Sequence, residues 1–132
     1  MELKEKLNLK RVELTTNISR EEKKHLLAKV KIFVYTSIRE GWGQTVIEAA
    51  SYMTPTVAYS VPGLKDSVKH LKTGVLIAPG DIKQLAKTIT HLLTNHALRN
   101  RLAENAYRHA QQYSWDKTAK TFLKAIEGVT CG

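Results

Sequence analysis

Cysteine is all but missing from this 132-residue chain, and the single thiol, Cys131, is the penultimate residue. One cysteine closes no internal disulfide, and so near a chain end it organises no metal site. Aromatic residues make up only 7% and form no cluster interleaved with arginine, which argues against a stacking platform for single-stranded nucleic acid. Long apolar runs are missing too. The longest, around Ile32–Tyr35 and Val75–Pro79, fall far short of the about 20 residues that a bilayer-spanning helix needs. The N-terminal MELKEKLNLK is charged and has no apolar stretch of the kind that marks a secretory signal. The expected location is therefore cytoplasmic.

What is present is an ordinary globular composition, 42% apolar and 25% charged, in a length that allows one domain at most, residues 1–132. Basic residues outnumber acidic ones 21 to 12, for a net charge of +9. Such a surplus invites a nucleic-acid or acidic-membrane reading. Its distribution weakens the first of these, because residues 40–64 contain two glutamates and no lysine or arginine. Nucleic acid is not the favoured partner. A diffusely basic surface with affinity for phosphate-bearing ligands, or for acidic lipid at the membrane periphery, fits better.

Along the chain, Arg11–Thr16 alternates and carries β-branched residues, which predicts a short strand. Ser19 with Glu22 three places on is a capping box, opening a helix from about residue 20 to 29. Lys31–Tyr35 is near-continuously apolar, the pattern of a strand covered on both faces. A helix from about Gly43 to Met53 follows, stopped by Thr54-Pro55, and then a strand at Thr56–Tyr59. Val61-Pro62-Gly63 reads as a turn, Lys65–Leu71 as a short helix and Thr73–Ile77 as a further strand. Asp81 with Gln84 caps a helix bearing Leu85, Ile89, Leu92 and Leu93. Leu98, Leu102, Ala106 and Ala110 mark a second helix. Ser114 caps a third, with Trp115, Ala119, Phe122, Leu123 and Ile126 on one face. Strands alternating with helices predict an α/β, Rossmann-like parallel sheet with a helical C-terminal third packed onto it.

The stretch TSIREGWGQTVIEAA, from Thr36 to Ala50, holds the candidate site. In open parallel sheets ligands gather at the carboxyl ends of the strands, where the next helix points its N-terminus. Glu40 falls at that rim. Gly41 and Gly43 remove side chains where backbone amides can approach a ligand, and a helix N-terminus favours an anion. Glu48, farther into the helix, looks back to the same mouth. Carboxylates only accept hydrogen bonds and pair naturally with vicinal hydroxyls. From the residues alone, this is an anion and polyol site.

The run SIREGWGQTVIEAA resembles the motif of two glutamates, eight positions apart, of the group 1 glycosyltransferases, retaining enzymes of the GT-B fold. The resemblance continues through PTVAYSVPGLKDSV and TGVLIAPGD to Tyr113-Ser114-Trp115, in the family's order and spacing. It implies transfer of a hexose from a nucleoside-diphosphate sugar to a glycan or lipid-linked acceptor with anomeric configuration retained. It implies that Glu40 is the catalytic-centre glutamate, contacting donor-sugar hydroxyls near the reacting carbon, and that Glu48 holds the ribose hydroxyls. Gly41, Trp42, Gly43, Gln44 and Thr45 would complete the donor site, their amides taking sugar and phosphate oxygens. No Asp-x-Asp occurs, so no metal and no cofactor are expected; the nucleotide sugar is a substrate.

The resemblance covers only the C-terminal, donor-binding part of such an enzyme, a partial GT-B C-terminal domain. The acceptor domain, two opening strands and the basic pair that grips the diphosphate have no counterpart here. The expected partners are thus a nucleotide-diphosphate sugar, the missing N-terminal domain or a partner chain, and a second copy. Two further readings are a non-catalytic subunit completing a split glycosyltransferase, and an anion- or nucleic-acid-binding module on the same fold. Without the opening strands, Ile32–Tyr35 either closes directly on Val12–Thr16 or keeps an open edge for another molecule, with self-association favoured.

Overall fold

Three short runs rich in β-branched and aromatic residues form the strands: β1 (Phe33–Tyr35), β2 (Thr56–Tyr59) and β3 (Gly74–Ile77). They pair in the order β1-β2-β3, all parallel, with Val34 opposite Val57 and Val57 opposite Val75. The structure, a computed structural model, describes residues 2–130, and the side chains of Trp115 and Thr130 lie outside that description. The helices are α1 (Glu2–Lys6), α2 (Arg20–Lys29), α3 (Gln44–Ser51), α4 (Pro62–Ser67), α5 (Ile82–Thr94), α6 (His96–Ala110) and α7 (Trp115–Thr130). Parallel neighbours cannot be joined by a tight hairpin, so α3 makes the crossover from β1 to β2 and α4 that from β2 to β3.

β2 is the centre of the molecule. Val57 and Ala58 are both fully buried and, being adjacent in a strand, face opposite sides of the sheet. On one side Ala58 packs with Val46, Val61, Leu64 and Val68, contributed by α3 and the α4 region. On the other, Val57 packs with Val75, Ile77, Leu92 and Leu102, which brings in α5 and α6. Each buried leucine contributes roughly 1.5–3 kcal/mol relative to an exposed one. A third contact, Ala50 against Ala106 and Ala110, uses alanines to let α3 and α6 lie close together.

The caps expected from sequence form. Ser19 N–H donates to Glu22 Oε2 at 2.6 Å while Ser19 Oγ accepts from Glu22 N–H at 3.1 Å. That pairing with Ser19 lowers the Glu22 carboxyl below its ordinary value. Asp81 accepts from Gln84 N–H and Ser114 from Lys117 N–H. Asn95, sitting between α5 and α6, caps the latter through Leu98 N–H.

Three expectations are corrected. Residues 11–16 form no strand; they are exposed and pair with nothing in the sheet, so β1 has no second neighbour among the described residues. Alternation alone does not make a strand, whose backbone groups need a partner segment. The short helix begins at Pro62, not Lys65, because proline's fixed φ suits a first helical position, and it ends at Ser67. Finally, α7 does not pack onto the sheet: Phe122 is 64% and Leu123 56% exposed. Its apolar stripe is real but, among the described residues, uncovered. The inward placement read for Trp115 and the end position of Cys131 lie outside the described residues.

These burial differences set a direct comparison. Leu102→Ala should cost about 2–5 kcal/mol of stability in urea denaturation, as buried leucine truncations do. Phe122→Ala should stay within about 0.5 kcal/mol, as for a surface position. Equal losses would place α7 in the core after all.

Candidate functional site

β1 ends at Tyr35, and the chain from Thr36 to Gly43 forms the rim loop before α3. Two glycines determine how that loop sits. Gly43, the N-cap of α3, has φ +72 and ψ +54, the left-handed region, and a Cβ there would lie 2.7 Å from Leu64 Cδ2. Conformation and space therefore both demand glycine. Gly63 in α4 is subtler. A Cβ on it would come within 2.0 Å of Glu40 O and 2.6 Å of Gly41 O, so α4 presses its backbone onto the carbonyls of the rim loop.

Gly41 differs from both. A Cβ there would meet nothing within 4 Å, and its φ is not positive, so the fold itself does not require glycine at this point. Its bare backbone faces open space. Val46 N–H is the first amide of α3 to find an acceptor, Gly43 O at 2.9 Å. That leaves the amides from Gly41 to Thr45 without a protein acceptor among the described residues, as at an uncapped helix start. The dipole of α3 adds positive character at these donors.

The two glutamates are held by different partners. Glu40, half-buried, accepts a 2.6 Å hydrogen bond from the Tyr35 hydroxyl. This bond to Glu40, with burial and the carboxylate charge adding to it, raises the Tyr35 phenol above its ordinary value of 10.0. Glu48 lies in the second turn of α3 and meets Lys23 of α2, Nζ to Oε2, at 2.6 Å. Trp42, Gln44 and Glu48 line a cleft of about 520 Å³ together with Arg20 and Tyr113. Glu40 does not line it; in sequence the two glutamates stand before and after the turn. Thr45 is half-buried in the first turn of α3. Among the described residues no group of three histidine, cysteine, aspartate or glutamate side chains could hold a metal ion.

Behind the cleft, Trp42 meets Tyr113 edge-on at 5.0 Å between centroids, and Tyr113 meets His109 edge-on at 5.2 Å. His109 Nε2 is buried without a hydrogen-bond partner among the described residues. Burial, aided by the charge of Lys69, lowers the imidazole below its ordinary value of 6.5.

Tyr35, Lys23 and Gly63 support the site, and the sequence did not single them out. A tyrosine at a strand end and a lysine on a basic helix carry no local mark of their partners. Pro62-Gly63 does advertise glycine, but as a turn residue, whereas its structural reason is close approach.

The family model for "Glycosyl transferases group 1" matches residues 1–109. D-inositol 3-phosphate glycosyltransferase of Salinispora arenicola is 39% identical over 88 residues, covering 67% of this chain and 20% of that protein. Among solved structures, sucrose-phosphate synthase from Thermosynechococcus elongatus superposes with a TM-score of 0.89 at 27% identity, covering 98% of this chain and 33% of that one. HepE from Anabaena, solved in complex with UDP-glucose, shares the fold with a TM-score of 0.86 at 23% identity, covering 96% and 35%. The chain thus spans one fifth to about one third of the length of these three proteins.

Two outcomes test the glycine geometry. Gly63→Ala should lower stability by about 1–3 kcal/mol, the cost of overpacking, and shift the amide resonances of Gly41 and Trp42. Gly41→Ala should leave stability within about 0.5 kcal/mol. A third concerns pH. Because the native His109 has the lower pKa, the unfolded chain binds the proton more readily, and protonation favours unfolding. Its contribution is therefore complete above pH 6.5 and lost as pH falls below it. His109→Gln should flatten that decline in denaturation midpoints measured across the acid range.

Proposed function

The chain belongs to the group 1 glycosyltransferases, and on that premise we propose that it is the nucleotide-sugar-binding part of a retaining enzyme. The reaction moves a hexose from a nucleoside-diphosphate sugar to a glycan or lipid-linked acceptor on the cytoplasmic side. The observation that carries this reading is the run of unpaired amides from Gly41 to Thr45, flanked by Glu40 and Glu48. A diphosphate placed there gains charge as the sugar departs. Preorganised amide dipoles meet that charge without having to reorient, which is the most effective form of transition-state stabilisation.

In this arrangement Glu40 accepts hydrogen bonds from donor-sugar hydroxyls near the reacting carbon. Tyr35, bonded to Glu40 Oε2, keeps the carboxylate aimed and leaves its other oxygen for the sugar. Glu48 accepts from the ribose hydroxyls at the opposite end of the nucleotide. The unpaired edge of β1 and the exposed apolar stripe of α7 support a second element of the proposal. Turnover needs further polypeptide, an acceptor domain or partner chain, to cover those surfaces and exclude water from the reaction.

The experiment is a binding comparison with UDP and UDP-glucose by NMR titration. UDP should bind weakly and perturb the amides of residues 41–48. Glu48→Gln should weaken UDP by about 1–2 kcal/mol, the scale of lost charge-assisted hydrogen bonds. Glu40→Gln should leave UDP unchanged and remove only the added affinity of the glucose moiety. Sugar transfer by the chain alone should be undetectable. Equal losses of UDP from both substitutions would overturn the division of roles, and turnover by the isolated chain would overturn the need for a partner.

A further inference from the structure

Among the described residues, Lys23 of α2 forms an ion pair with Glu48 at the candidate site, whose cleft Arg20 of the same helix also lines. The placement of the pair is not accidental to the packing. The capping box at Ser19 fixes where α2 begins, and Leu27, one turn beyond Lys23 on the same face, is the buried residue of that helix. Thr54 Oγ1, past the end of α3, donates to Leu27 O at 2.8 Å and ties the helices together. With α2 pinned at both points, Lys23 is delivered to Glu48.

What the pair does follows from magnitudes. Both side chains remain more than a third exposed, and pairs of that kind contribute little to folding. Stability is therefore a poor account of it. Glu48 has no other side-chain partner among the described residues to fix its carboxylate, and ordering a glutamate side chain on binding costs conformational entropy. Lys23 holds one carboxylate oxygen, Oε2, and leaves Oε1 free to accept a hydroxyl.

We propose that Lys23 is a positioning residue for nucleotide recognition, orienting the Glu48 carboxylate so that it selects ligands with ribose hydroxyls. This rests on the reading of Glu48 as the ribose-binding group. The role belongs to α2, not to the glutamate-bearing segment. It makes the rigid seating of α2 on α3 a condition for nucleotide selectivity.

The test compares UDP with 2′,3′-dideoxy-UDP by NMR titration of the full chain. The original chain should prefer UDP. Lys23→Met should lower affinity for UDP by about two- to fivefold while leaving the dideoxy compound unchanged, so that the preference shrinks. Lys23→Arg should restore it. Lys29→Met, which removes the same charge from the exposed last turn of α2, should leave both affinities as they were, separating local orientation from general electrostatics. If Lys23→Met keeps the full preference while Glu48→Gln abolishes it, Lys23 does not position the carboxylate and the proposal falls, with the nucleotide site standing. If Lys23→Met weakens both compounds equally, its effect is bulk charge and the proposal also falls. If the original chain shows no preference for UDP over the dideoxy compound, both this proposal and the ribose role of Glu48 fall together.

Discussion

Two places with no room for a Cβ govern the rim of this molecule. At Gly43 the backbone is left-handed and sits against Leu64, and at Gly63 the backbone of α4 lies against the carbonyls of Glu40 and Gly41. Together they clamp the loop between β1 and α3 from behind, using the same α4 segment whose Leu64 is fully buried in the core. The loop's carbonyls are thereby turned toward α4, and its amides are left unpaired on the open side. Site geometry is a direct consequence of core packing, since the side chain that fills the core also seats the loop.

The electrostatics of the rim are built from backbone more than from side chains. Residues 40–64 carry two glutamates and no lysine or arginine, although the chain as a whole is at +9. Positive character at the turn comes from unpaired amides and the α3 dipole, which lie at fixed positions and need no side-chain ordering. Side-chain cations enter from outside that segment, on α2, and act on the carboxylate at its far end.

Two surfaces are left unfinished in a structure otherwise well packed around β2. The outer edge of β1 pairs with nothing among the described residues, and Val34 on it is 39% exposed. Phe122, Leu123 and Val129 on α7 are exposed as well. Parallel strands are normally covered on both faces and paired on both edges in the middle of a sheet, and an amphipathic helix of this kind normally has a partner. Sucrose-phosphate synthase and HepE, of matching fold, are about three times as long as this chain.

The sequence by itself determined whatever depends on neighbours within about four residues. Ser19 with Glu22 and Asp81 with Gln84 form the caps their spacing announced, Ser114 forms the cap expected of it through Lys117 N–H, and the steps of four through Leu102, Ala106 and Ala110 mark a buried face. The glutamate-glycine segment was legible for the same reason, since its residues are contiguous. Tertiary structure alone decided the rest. Among the described residues, Val12–Thr16 alternates like a strand yet pairs with no strand, and Phe122 and Leu123 of amphipathic α7 stay exposed, because pairing and burial require a second segment that local pattern cannot supply. Tyr35 against Glu40, Lys23 against Glu48 and Gly63 against the rim carbonyls are meetings of separate elements or of a strand end with a loop. Each depends on how helices seat against a common core, and no spacing along the chain encodes that distance in space.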